Sequence, residues 1–226
     1  MAFPSWRRVI VSVAMLMLAL AGWLEHQGPS TRAITTIITP QRVLGLLNTC
    51  NKVGGGYPAG NDKPATPEVC ESGSLIHFKA GMTIDSDGMI TKECSFATDP
   101  DFRDDTTLKD SHGRPLDAAH LPYVVAPYPD EHWNFTKSGV RLGDVVAIIY
   151  EGRIRCGVLG DVGTMGEASV AMAQSLGIDP DPHQGGTSSK MTYIIFKNSR
   201  ISPVEDHEQA THRCMARLAE FVRSGE

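Results

Sequence analysis

The segment from Val145 to Asp161 limits the fold more than any other part of the chain. Val145–Tyr150 (VVAIIY) is an unbroken apolar run rich in β-branched residues, Glu151-Gly152-Arg153 turns the chain, and residues 154–159 return as a second run. Runs this short and this apolar read as buried strands, so the segment is expected to form a hairpin ending at Asp161. The run Gly160-Asp161-Val162-Gly163-Thr164-Met165-Gly166-Glu167-Ala168-Ser169 follows. It sets Asp161 and Glu167 six residues apart in a Gly-rich turn, ahead of a stretch, residues 167–176, that reads as a helix. Glycines let such a turn adopt unusual dihedrals and come close to a ligand. Two carboxyl groups at its rim are the minimum equipment for cutting a glycosidic bond: one donates a proton, the other activates water or attacks. The plain alternative is a solvated Asp and a helix-starting Glu.

Short strands are expected elsewhere too, at residues 75–78 and 81–84 around Lys79, at 122–126 (PYVVA) and at 191–196 (MTYIIF). Residues 41–48 read as a short helix. Residues 204–223 read as an amphipathic one, with Ala210, Cys214, Leu218 and Phe221 near helical spacing. Residues 53–67 are a Gly/Pro/Asn-rich loop, and residues 97–120 are polar, Asp-rich and without periodicity. The fold class implied is α+β and strand-rich, in a single compact domain. A main domain at 41–200 and a C-terminal helix at 201–226 are expected.

The N-terminus has a different character. Arg7 and Arg8 precede sixteen uncharged residues, 9–24, and Ala19-Leu20-Ala21 before Gly22 resembles a signal-peptidase site. This is the layout of a secretory signal at 1–21, followed by a linker at 22–40, and sixteen residues is short for a membrane span. Membrane association is expected only if that segment is an uncleaved anchor; otherwise the protein is secreted or periplasmic. Removing residues 1–21 takes away two arginines and no acids, so the formal charge moves from −5 to −7. With no Lys/Arg cluster, nucleic acid is excluded as a partner. An acidic surface suits a cationic or neutral ligand.

Five cysteines in an exported chain imply two bridges and one thiol. Cys50 and Cys70 flank the 53–67 loop and are the first pair expected, worth about 3 kcal/mol in the chain-entropy picture. Cys156, in an apolar strand, reads as a buried thiol, and Cys94 with Cys214 is left as a possible second pair. No C-x-x-C is present to support a zinc or thioredoxin-type site, and neither metal nor cofactor is expected.

Several stretches together resemble the chitosanases of glycoside hydrolase family 75. They are LPYVV (121–125), DVVAIIYEGRIRCGVLGD (144–161), GEASVAMAQSLGI (166–178) and MTYIIF (191–196), with FKAGMTIDSDG (78–88) and LDAAHLPYVV (116–125) upstream. The resemblance covers roughly residues 45–196. It implies a β-barrel-like domain with peripheral helices that cleaves β-1,4 linkages in chitosan with inversion; separately, a monomer is expected. It also implies that Asp161 and Glu167 are the essential carboxylates. Two departures are a shorter loop between the acids, which resembles a bacterial branch of the family, and Leu159 where a Trp commonly precedes the Gly-Asp. Physically, a Glu at a helix N-terminus is favoured as the anion and suits a base, whereas an Asp ending an apolar strand feels desolvation and suits an acid.

Asp85 and Asp87, in the turn signature Asp85-Ser86-Asp87-Gly88, could pair with glucosamine ammonium groups; the alternative is an ordinary Asp turn. A calcium loop does not fit, because Gly88 stands two positions early and Phe96 occupies the place of the terminal Glu. Trp133 and Tyr123 are candidates for a sugar-stacking face, as is Tyr193, although strand tyrosines commonly belong to a core. Lys79 and His183 read as surface residues. Asn134-Phe135-Thr136 is a glycosylation sequon, meaningful in a eukaryotic source. The partner expected is an amino-sugar polysaccharide. The rivals are hydrolysis of peptidoglycan or another envelope glycan, and a non-catalytic glycan-binding protein on the same fold.

Overall fold

The computed structural model describes residues 37–56 and 67–225. The expected signal sequence, most of the linker and most of the 53–67 loop lie outside the described residues. The elements in chain order are α1 (Pro40–Leu46), β1 (Asn51–Gly55), β2 (Glu68–Ser72), β3 (Leu75–Asp85), β4 (Tyr123–Pro127), β5 (Val145–Tyr150), β6 (Arg153–Gly163), β7 (Glu167–Ser169), α2 (Val170–Leu176), β8 (Thr187–Phe196) and α3 (His207–Ser224).

Six strands close on themselves in the order β3-β7-β4-β6-β5-β8, with β8 pairing back to β3. Closure leaves the barrel no free edge. Most neighbours run antiparallel, but β3 with β7 and β4 with β6 are parallel. The long β3 makes closure possible: one of its edges pairs β8, while the other is shared between β2 near Leu75–His77 and β7 at Thr83–Asp85. Strand alternation then divides the apolar side chains into two clusters. Ile76, Phe78, Val124, Val146, Ile148, Leu159, Met191, Tyr193 and Ile195 fill the inside, with α2 against them. Leu75, Tyr123, Val125, Val145, Ala147, Ile149, Cys156 and Val158 face outward. They are covered by α3, through Ala210, Cys214, Leu218 and Val222, and by the excursion between β3 and β4.

The strand-rich α+β barrel agrees with the expectation, and the differences have physical causes. Residues 75–84 form one continuous strand, because Lys79 sits exposed on its outer face and need not interrupt the ladder. The β1–β2 hairpin carries Asn51, Lys52, Glu68 and Glu71 and has no apolar alternation to announce it. Residues 167–169 are strand, since pairing with β3 and β4 outweighs their helical tendency, and Ser169 caps α2 by accepting from Met172 N. The Cys50–Cys70 bridge forms as expected. Cys156 is not a free thiol and Cys214 does not pair with Cys94. Cys156 points outward from β6 to the face that α3 covers, where it bonds Cys214, leaving Cys94 as a buried thiol. No helix among the described residues is long and apolar enough to cross a membrane.

Candidate active site

A β-bulge decides where Asp161 points. Val124 of β4 pairs Leu159, but the next residue, Val125, pairs Asp161, so Gly160 is an extra residue in β6. Such an insertion locally resets the alternation of a strand. Leu159 faces the interior with Val124, and Asp161 faces outward with Val125 rather than inward as an uninterrupted alternation from Leu159 would require. Only glycine fits at the bulge: a Cβ on Gly160 would lie 2.8 Å from both Leu116 Cδ1 and Tyr123 Cβ.

Glu167 reaches the same face by a different route. Val124 also pairs Ala168 of the antiparallel β7, which sets Glu167 beside Val125, and Glu167 pairs Thr83 of β3. One outward row therefore runs Thr83, Glu167, Val125, Asp161 across four neighbouring strands. The two acids are separated by a single strand, so their backbones stand about 9–10 Å apart, twice the usual strand spacing. Gly163 leaves room for the Glu167 side chain; a Cβ there would fall 2.7 Å from Glu167 Oε2 and 3.1 Å from Val125 Cγ1. Glu167 thus lies over the end of β6, towards Asp161.

Fixed hydrogen bonds hold both groups. Asp161 Oδ1 accepts from Thr107 N at 2.8 Å, Thr107 Oγ1 at 2.6 Å and Val162 N at 2.7 Å, which orients the carboxyl group. Glu167 Oε2 accepts from Thr164 N at 2.6 Å. Burial raises Glu167 above the usual carboxylate range, the Thr164 bonds oppose this, and the charge of Asp161 adds to it.

Asp85 ends β3 on the same outer face, paired with Ser169. Its Oδ1 accepts from Asp87 N at 2.9 Å, and Asp87 Oδ1 accepts from Arg103 N at 2.7 Å. Burial drives Asp85 well above the usual range, and the charges of Asp87, Asp161 and Glu167 push the same way. Asp87 is raised to about 6, by burial first, with Asp161 contributing and the Arg103 side chain opposing. The four carboxyl groups therefore share one electrostatic field. Among the described residues, no three His, Cys, Asp or Glu side chains are arranged to hold a metal ion.

The structure brings together Asp85, Asp87, Asp161 and Glu167, but withdraws the aromatic candidates. Tyr123 is fully buried and supports the acidic turn from below, its hydroxyl donating to Asp87 O at 2.9 Å. Trp133 is 2 % exposed, packs against Phe135 and the backbone of Gly54, and donates through Nε1 to Ser138 Oγ. Neither ring is open to a sugar: Tyr123 begins β4 beneath the acidic turn, and the loop that carries Trp133 folds back to enlarge a core that a small barrel cannot fill alone. Tyr193 lies inside the barrel, stacked on Phe78. Lys79 and His183 are exposed, as expected. Thr107 and Arg103, which the sequence reading missed, come from the aperiodic excursion, where no local pattern marks them.

No curated protein is similar enough in sequence to match this chain. The family described as fungal chitosanase of glycosyl hydrolase group 75 matches residues 82–224, a span that includes all four carboxylates and well over half of the chain. On that match the chain belongs to the glycosyl hydrolase group 75 family, whose members are chitosanase-type glycoside hydrolases.

Proposed function

We propose that the protein is an exported endo-acting hydrolase of chitosan or a related amino-sugar polymer, with Asp161 and Glu167 as its catalytic pair. The observation that carries this reading is the outward row in which one strand separates the two acids. A backbone separation of about 9–10 Å, with Glu167 leaning over Gly163, is compatible with the roughly 6.5–9.5 Å between carboxyl groups that an inverting mechanism needs. Two disulfides support an oxidising compartment and so export.

The roles follow from the environments. Glu167 does not start a helix, so no helix dipole favours its anion; it is packed on β7 and burial favours its protonated form. Glu167 is therefore the acid, delivering its proton to the glycosidic oxygen as the bond to the anomeric carbon breaks. Asp161, oriented by Thr107 and Val162, is the base: it takes a proton from the water whose oxygen bonds to the opposite face of that carbon. This reverses the assignment drawn from the sequence, which rested on a helix start at Glu167 and on desolvation of Asp161 at the end of an apolar strand. Asp85 and Asp87 supply negative charge for the ammonium groups of the polymer.

Asp161→Asn and Glu167→Gln are each expected to lower turnover of soluble chitosan by at least about 10²-fold. Early-time analysis of the anomeric configuration of the product checks inversion. Turnover of peptidoglycan but not chitosan would move the substrate to an envelope glycan. Glycan binding without turnover by the wild type would identify a binding protein instead.

A further inference from the structure

Residues 103–107 border the acidic site, because both ends of this stretch are bonded to its acids. At one end Arg103 N donates to Asp87 Oδ1 at 2.7 Å, and Arg103 O accepts from Gly88 N at 2.9 Å, so the backbone of Arg103 is clamped to the acidic turn. At the other end Thr107 N donates to Asp161 Oδ1 at 2.8 Å. Buried side chains pin the stretch to the barrel. Phe102 joins the outer apolar cluster, and Thr106 Oγ1 donates to Leu108 O and accepts from Leu116 N.

Arg103 is exposed on this rim, and it differs from Lys109 and Arg114 further along the excursion. Lys109 pairs with Asp105, and Arg114 pairs with Asp110 at 2.8 Å. Arg103 forms no ion pair with an acid among the described residues. Burial raises both Asp87 and Glu167, and the charge of Arg103 opposes the rise in each. An unpaired cation at the rim of an acidic site repels the ammonium group that comes nearest to it. Its guanidinium also presents several N–H donors, which suit a carbonyl oxygen. The ligand that satisfies the acids and Arg103 together is a glycan that carries ammonium groups and, at one unit, an N-acetyl group instead. The acetyl amide leaves that sugar neutral, and its carbonyl oxygen accepts from the guanidinium.

We infer that Arg103 is a specificity-determining residue: at the rim of the acidic site it favours an N-acetylated sugar over one that carries an ammonium group. The inference rests on the proposed glycan hydrolysis, but its test can fail separately. Wild type, Arg103→Ala and Arg103→Lys are compared by kcat/KM on fully deacetylated and on half-acetylated soluble chitosan. Arg103→Ala keeps the backbone bonds to Asp87 and Gly88, so its melting temperature is expected to stay that of wild type. Its ratio of kcat/KM, half-acetylated over deacetylated, is expected to fall about three- to fivefold, the scale of an exposed charge interaction. Part of that fall is a gain on the deacetylated polymer, which a merely structural loss does not produce. Arg103→Lys keeps the charge and is expected to keep the ratio near that of wild type. An equal ratio in wild type and Arg103→Ala overturns the inference. If the wild type turns over neither polymer, the functional reading falls, and retardation in gels containing chitosan or glycol chitin decides the role of Arg103. Stronger retardation of Arg103→Ala than of wild type by chitosan, with weaker retardation by glycol chitin, upholds it; equal retardation by both glycans overturns it.

Discussion

Tyr193, inside the barrel, donates its hydroxyl to the carbonyl oxygen of Gly166 at 3.2 Å and to that of Gly81 at 2.8 Å. The residue before Glu167 is thus tied from within to β3, and the core of the barrel reaches directly into the position of an acid. Burial raises the phenol well above its ordinary value, so it remains a donor at every working pH. Tyr193→Phe keeps the stack on Phe78 and removes only this tie. It is expected to lower stability by about 1–2 kcal/mol, because Gly81 O and Gly166 O each lose a donor, although Gly166 O keeps that of Thr83 N. Turnover of chitosan is expected to fall about tenfold with KM nearly unchanged, because misplacing an acid affects chemistry more than binding. Thermal melts and steady-state kinetics check both.

Gly163→Ala tests the lean of Glu167. The added methyl group would meet Glu167 Oε2 and Val125 Cγ1, and of these the flexible carboxylate moves first. Turnover is expected to fall at least about 10²-fold, the range for losing an acid or base, while the melting temperature changes little. Near wild-type turnover would place the working position of Glu167 elsewhere.

Asp87 links pH to stability and, on the proposed function, to binding. Its folded value is raised to about 6, so the folded state holds a proton that the unfolded chain has released. The associated stability is complete below the unfolded value near 4 and is lost as pH rises through about 6. Asp87→Asn keeps an acceptor for Arg103 N and removes the penalty. It is expected to stabilise the protein by about 1 kcal/mol at pH 7.5, after allowance for solvent screening, and not at pH 4. If Asp87 also pairs with substrate ammonium groups, wild-type KM for chitosan falls as pH rises through about 6, and the variant loses that dependence. Melts and KM at several pH values test the two halves separately.

The barrel strands were legible because burial writes itself into composition. Val145–Tyr150 and Met191–Phe196 can be little else than buried strands once they are that short and that apolar. The Asp161–Glu167 pair was legible for a related reason: strand, glycines and acids are contiguous in the chain. What escaped depends on contacts distant in sequence. Thr107 reaches Asp161 across 54 positions, and Cys156 finds Cys214 across 58. The bulge at Gly160 could not be read either, because the register of β6 against β4 is a property of two strands and not of one. Trp133 misled in the opposite direction, since a polar neighbourhood in sequence, with Asp130 and His132 beside it, conceals a side chain folded into the core.

The row that carries the acids has a corollary for the turn between them. Glu167 is located by its pairing with Thr83 and Val125, and Asp161 by the pairing of β6 with β4, so each is anchored independently of the residues that join them. The turn at residues 164–166 is a connection and not a ruler. Its length can change without moving either acid, and in the proposed mechanism the gap in which a water is activated is the width of one β-strand.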